Sequence, residues 1–150
     1  MSQASHHARQ FTANRSALLD LYDMLPEDQG KFAAWDGGMS FIGLADHLSG
    51  SLTRFMGLIA GEGMGAPAPA STSLDEARQR LRDTHQTAVS AIEGMNDADL
   101  DRRVPAFGGR EMPVRAVLDM VTTHEVHHKG QVWMMARMVG IQPPMFVKMG

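Results

Sequence analysis

The sequence predicts an all-α domain built as a four-helix bundle, and three observations carry that prediction. Four stretches repeat apolar residues at helical spacing, strand-like alternation is scarce, and segments rich in glycine and proline separate the helical stretches. The 150 residues make one domain's worth of chain, enough to bury a single core. No internal repeat or second domain divides residues 1–150.

The first pattern spans roughly residues 4 to 24, with Phe11, Leu18, Leu21, Tyr22 and Leu25 in helical register, and Pro26 marks its end. "DGGM" at 36–39 reads as a turn, after which Ser40 caps a second helix. Phe41, Leu44, Leu48, Leu52, Phe55 and Ile59 form its apolar face. "GEGMGAPAPAST" at 61–72 reads as a long connection. Ser73 and Glu76 then have capping-box spacing for a third helix running to about Glu93, with Leu74, Ala77, Leu81, Thr84, Ala88 and Ile92 inward and Gly94 as its stop. "RVPAFGGREMPV" at 103–114 suggests a short hairpin around Gly108 and Gly109, weakened by Pro105. Pro113 suits the first turn of a last helix that continues to about Val139, where Gly140 and the Pro143–Pro144 pair end it.

Composition removes several function classes. A net charge of -3 and no long basic run leave no electrostatic footprint for nucleic acid. No apolar stretch reaches the length of a membrane span, and the N-terminus lacks an apolar signal core, so a cytoplasmic protein is expected. Cysteine is absent, which excludes disulfides, thiolate ligands and cysteine nucleophiles. Any thiol chemistry needs a thiol that arrives on a ligand. The 13 methionines read as flexible core filling, with a share at a dimer interface.

The last helix carries "THEVHHKGQVWMMARMVGIQPP", with three of the chain's seven histidines in five residues. Measured from Val121 at about 100° per residue, Val114, Val117, Leu118, Val132, Met135 and Val139 form the buried stripe. His128 falls about 20° from its centre and His124 about 60° off on the same side. Glu125 also points inward, Gln131 lies near the histidine side, and His127 sits well off the stripe. Two imidazoles one turn apart can reach a shared ion. A satisfied buried histidine pair is the plainer reading, but burying two histidines and an acid is costly unless the groups are paired or hold a metal. A third ligand is needed, and His47 on the second helix and His85 on the third are equally placed for it. His6 and His7 lie near a terminus expected to fray.

His124, Glu125 and His128 also spell H-E-x-x-H, the zinc helix of many metallopeptidases. That reading fails on its remaining parts. No aspartate or glutamate follows Glu125, and Gln131 and Met134 stand where the extended signature requires glycine and histidine. Glu125 is left as a candidate acid or base, or as a partner that orients a ligand. Trp35 and Trp133 are expected in the core, and Gly130, opposite the stripe, at a close helix approach. Asn14 and Arg15 either face the site or solvate the first helix.

The C-terminal motif resembles the signature of the DinB-like (YfiT-like) metal-dependent superfamily. The matching residues are His124, His128, Lys129, Gly130, Gln131, Arg137, Gly140, Pro143 and Pro144, with lysine at 129 where arginine is commoner. "SFIGLADHLSGSLTRF" places His47 where members carry their first metal histidine, and "AIEGMNDADLDRRV" is similar to the segment leaving the third helix. The resemblance implies an up-down-down-up bundle with one long crossover. It implies one divalent ion per chain (Zn, Ni, Fe or Mn) on His47, His124 and His128; Gln131, by its own orientation, either stands behind those ligands or packs against a neighbouring helix. It also implies transfer of a small cellular thiol to an electrophile, as in the thiol transferases and the mycothiol-dependent isomerase of the family, and homodimers. The alternatives are a metal-dependent hydrolase and a non-catalytic, stress-related binding protein.

Overall fold

Helix α1 spans Gln3–Met24, and its first turn is closed by Ser2, whose side chain accepts from the Ser5 amide. It opens the computed structural model, which describes residues 2–149. The terminus is not frayed: Ala4 and Ala8 are buried, and His7 sits 3.5 Å from Asp119. Leu25 leaves α1 in an extended conformation ahead of Pro26, as a pre-proline residue should. A short 3-10 turn at Glu27–Gln29 follows.

Helix α2 is Phe41–Ala60, with Ser40 accepting from the Gly43 amide, and α3 is Leu74–Glu93. The predicted capping box at α3 is only half formed. Ser73 accepts from the Glu76 amide, but the Glu76 carboxylate turns to the amide and hydroxyl of Thr72. The reciprocal box belongs instead to α4, Asp97–Asp101, where Asn96 and Asp99 cap each other. Helix α4 is not legible in the sequence, because five residues are too few to show a period. Strands β1, Arg103–Pro105, and β2, Glu111–Pro113, pair antiparallel with Val104 opposite Met112. Pro105 is tolerated because it stands at the end of the ladder, opposite Glu111. Helix α5, Val114–Met138, starts directly from β2, and Pro113 is its cap rather than its first turn. Gly140, at φ +83°, supplies the left-handed turn that releases the chain from α5.

The core shows which way each helix runs. At one end Leu18, Leu21 and Tyr22 of α1 meet Phe41 and Leu44 of α2, Leu74 and Leu81 of α3, and Val132, Met135 and Ala136 of α5. At the other end Ala4 and Ala8 meet Ile59, Ile92, Val114 and Val117. Helices α1 and α5 therefore run one way and α2 and α3 the other, the expected up-down-down-up order. Each fully buried leucine, isoleucine or phenylalanine in these layers stabilises the bundle by about 1.5–3 kcal/mol. Helix α2 packs on α3 and α5, and α1 packs on the same two, so α3 lies diagonally across from α5.

The parallel pair α2 and α3 requires the chain to travel back along the bundle, and residues 61–73 do this. Asp46 ties the segment down: its carboxylate accepts from the Ser71 amide at 2.7 Å and the Ser71 hydroxyl at 2.6 Å. Gly57 lets the segment start close against α2, because a Cβ there would meet the Gly63 carbonyl oxygen at 2.5 Å. Beyond α5 the chain folds back on the bundle, with Lys148 donating its amide to the Ala13 carbonyl.

Candidate metal centre

His47 reaches the site from α2, and His124 and His128 reach it from α5. One nitrogen from each ring lies within 4.8 Å of the others. The Nε2 atoms of His47 and His124 are 3.0 Å apart. The rings stand nearly on edge to one another, with centroids 4.6 to 4.9 Å apart. An ion about 2.0–2.1 Å from two imidazole nitrogens sets them roughly 3.0–3.4 Å apart, so the 3.0 Å between His47 and His124 suits a divalent metal. Hydrogen bonding alone accounts for the cluster poorly. His47 and His124 could bond each other only as opposite tautomers, and a third ring turned to the same point would gain nothing.

The surroundings keep the three rings in the form that a metal would need. His128 Nδ1 lies 2.7 Å from Gln131 Oε1; with that oxygen accepting, Nδ1 carries the proton and Nε2 keeps its lone pair. Burial, and then the neighbouring histidines, hold His124 down at about 4. Burial, His128 and Arg54 lower His47. Both rings are thus neutral at neutral pH, the form that binds metal. On one flank the Phe55 ring packs 6.0 Å from His124 and 5.6 Å from Phe107 at the hairpin tip. On the other, Ala34, Trp35, His127, Gly130, Gln131 and Met134 line a shallow cavity.

The other expected residues fall elsewhere. His85 is held across the bundle, with Nε2 3.3 Å from the Thr12 hydroxyl and its ring against Phe11. His127 is exposed beside His128 without joining the cluster. Glu125 is buried, and Arg15 occupies both its oxygens at 2.6 and 3.0 Å. Arg15 also donates to the Leu81 carbonyl and the Thr84 hydroxyl, so a fully buried guanidinium is satisfied on every side. Asn14 accepts from the buried Lys129 at 2.9 Å. Neither Asn14 nor Arg15 solvates α1. Trp35 is 61% exposed, against expectation, and a Cβ on Gly130 would meet open space rather than a helix. Trp133 is covered by the chain's own tail, its indole donating to the Pro144 carbonyl. The Arg15–Glu125 pair is not evident from the sequence, and its one signal there is a charged residue on the apolar face of each helix.

Fold and site together define a class: four-helix bundles of up-down-down-up order with a three-histidine cluster between the second and last helices. A model of the DinB superfamily matches residues 10–132, and the chain belongs to that superfamily. It is 26% identical to the uncharacterized protein YjoA of Bacillus subtilis over 93% of each chain. The crystal structure of that DinB-like protein superposes with a TM-score of 0.82 at 23% identity, covering 97% of this chain and 99% of the other. A DinB-like protein of Bacillus cereus also gives 0.82, at 21% identity over 93% and 95% of the two chains. YfiT of Bacillus subtilis gives 0.71 at 15% identity over 93% and 89%. At these identities the structural likeness concerns the fold.

Proposed function

We propose that the chain is a metal-dependent enzyme acting on small molecules, with one divalent ion held by His47, His124 and His128. The reaction proposed is transfer of a small cellular thiol to an electrophile. The observation that carries this reading is the convergence of three imidazoles, with no fourth histidine or carboxylate joining the group among the described residues. Three protein ligands and an open position mark a catalytic rather than a structural centre. When bound, the ion would ease deprotonation of a thiol or water placed at that position. The ion is Zn, Ni, Fe or Mn, since imidazole suits each.

The chain's own residues position and desolvate. Gln131 orients His128, and Phe55 with Phe107 lays apolar surface along one flank. Glu125 is the proposed auxiliary residue. Its bond to Arg15 favours a positioning role, fixing α5 against α1 next to His124, over proton transfer. With no cysteine in the sequence, the thiol comes from solution. The setting proposed is cytoplasmic; among the described residues no helix is long and apolar enough to cross a membrane. The outward face of α5 leaves Met120, Met134 and Met138 exposed, which supports a homodimer. Light scattering at micromolar concentration tests this, and a strict monomer rejects it.

Hydrolysis is the second reading, favoured by the likeness to YfiT, which is described as a probable metal-dependent hydrolase. Cobalt-substituted protein titrated with small thiols separates the two. Thiol transfer predicts intense charge-transfer absorption and metal-dependent turnover of an electrophile panel only when thiol is present. Turnover without thiol selects hydrolysis. A loaded site with neither activity makes the chain a stress-related binding protein.

A further inference from the structure

Arg54 lies seven residues after His47 on α2. Seven residues make nearly two turns, so the two side chains share one face of the helix, with Ser51 between them. Helical side chains lean toward the N-terminus, which carries the guanidinium back toward His47.

Arg54 is partly buried. Among the described residues it forms no ion pair and no hydrogen bond, which sets it apart. Arg15, Arg78, Arg80, Arg82 and Arg115 each hold a carboxylate. Arg102, Arg103 and Arg137 each donate to a backbone carbonyl. Arg9 and Arg110 also lack partners, but both are exposed. The acids of the two site helices are engaged elsewhere: Asp46 holds Ser71, Asp119 faces His7, and Glu125 holds Arg15. A partly buried cation on the face of α2 that carries His47, with no acid of its own among the described residues, is placed to receive one from outside. A contact of that kind strengthens as water is excluded.

We propose that Arg54 is the specificity residue of the site, and that it binds a carboxylate carried by the small molecule whose reactive end meets the histidine cluster. A single planar guanidinium matches a monoanionic carboxylate in a two-point contact, whereas a phosphate dianion calls for further donors. The proposal rests on reading the cluster as a metal centre.

The test uses cobalt-loaded protein titrated with two series of hydroxamates of matched chain length, one ending in a methyl group and one in a carboxylate. Hydroxamates coordinate the metal whichever reaction the site performs, and cobalt absorption reports binding. Wild type is expected to favour the best-fitting carboxylate by about tenfold or more. Arg54→Gln should erase the preference, Arg54→Lys retain part of it and Arg54→Glu reverse it. Cobalt stoichiometry and affinity for the methyl series should stay unchanged, which also shows that the variants fold. Equal affinity for the two series in wild type, a preference that survives in Arg54→Gln, or a cobalt spectrum that answers to no hydroxamate overturns the proposal while the metal centre stands. Failure of wild type to take up cobalt overturns both.

Discussion

At the scale of single residues, the histidine cluster makes the sharpest demand. His128 is the most buried of the three proposed ligands and is held by Gln131, so His128→Ala should abolish stoichiometric metal uptake. His85→Ala and His127→Ala should leave it intact, because neither ring joins the cluster. Elemental analysis after gel filtration decides this; full loading of the His128 variant would falsify the ligand assignment. Gln131→Ala should keep the ligands but lower affinity by about 10–100-fold, the usual effect of losing the group that fixes a ligand's tautomer. Glu125 belongs to a different balance. Glu125→Ala leaves a fully buried guanidinium without its acid and should cost about 3–5 kcal/mol, measured by denaturant unfolding. Replacing Arg15 and Glu125 together by apolar residues of similar size should recover much of that loss. If the double variant is no more stable than Glu125→Ala, the ion pair is not the source of the effect.

At the scale of elements, the long connection matters most. An up-down-down-up bundle must return its chain from the end of α2 to the start of α3, and all of residues 61–70 are exposed along that path. Asp46, one residue before His47, anchors the segment through Ser71. Asp46→Ala should free it, at a cost of about 1–3 kcal/mol for the lost charge-assisted bonds. Limited proteolysis should then cut within 61–72 faster than in the wild type. Unchanged cleavage would show that Arg80, which donates to the Pro69 carbonyl at 2.6 Å, holds the segment by itself. The same aspartate also fixes the turn of α2 that carries His47, so metal affinity should fall in this variant too.

At the scale of the whole molecule, pH and metal act through the same imidazoles. Burial holds His124 at about 4, and His47 and His85 below the ordinary 6.5, in the folded chain. The unfolded chain therefore takes up protons first as pH falls. Stability is full above about 6.5, declines below it, and for His124 stops declining near 4. The melting temperature of metal-free protein should fall between pH 7 and 4, and His85→Gln should remove part of that slope. A flat profile over the range would contradict the burial argument. With metal bound, chelation at neutral pH should lower the melting temperature by roughly 5–15 °C, the effect of removing a ligand present at 100–1,000 times its dissociation constant. A fully loaded protein whose melting temperature ignores chelator would show a core indifferent to the ion.

Apolar periodicity by itself was enough to determine four long helices, and the capping serines of α2 and α3 and the glycine after α5 were legible. Period and capping are local, so neighbouring residues carry them. The pairing of His124 with His128 was legible for the same reason: one turn of helix sets it. The choice between His47 and His85 was not local. It depended on α2, rather than α3, packing beside α5, a fact that spacing along the chain does not contain. Arg15 and Glu125 are 110 positions apart, and only tertiary packing turned two separately costly buried charges into one satisfied pair. Trp35 went the other way. Its size argued for burial, but the short segment that carries it has too few neighbours to cover an indole, and the ring stands 61% exposed at the edge of the site.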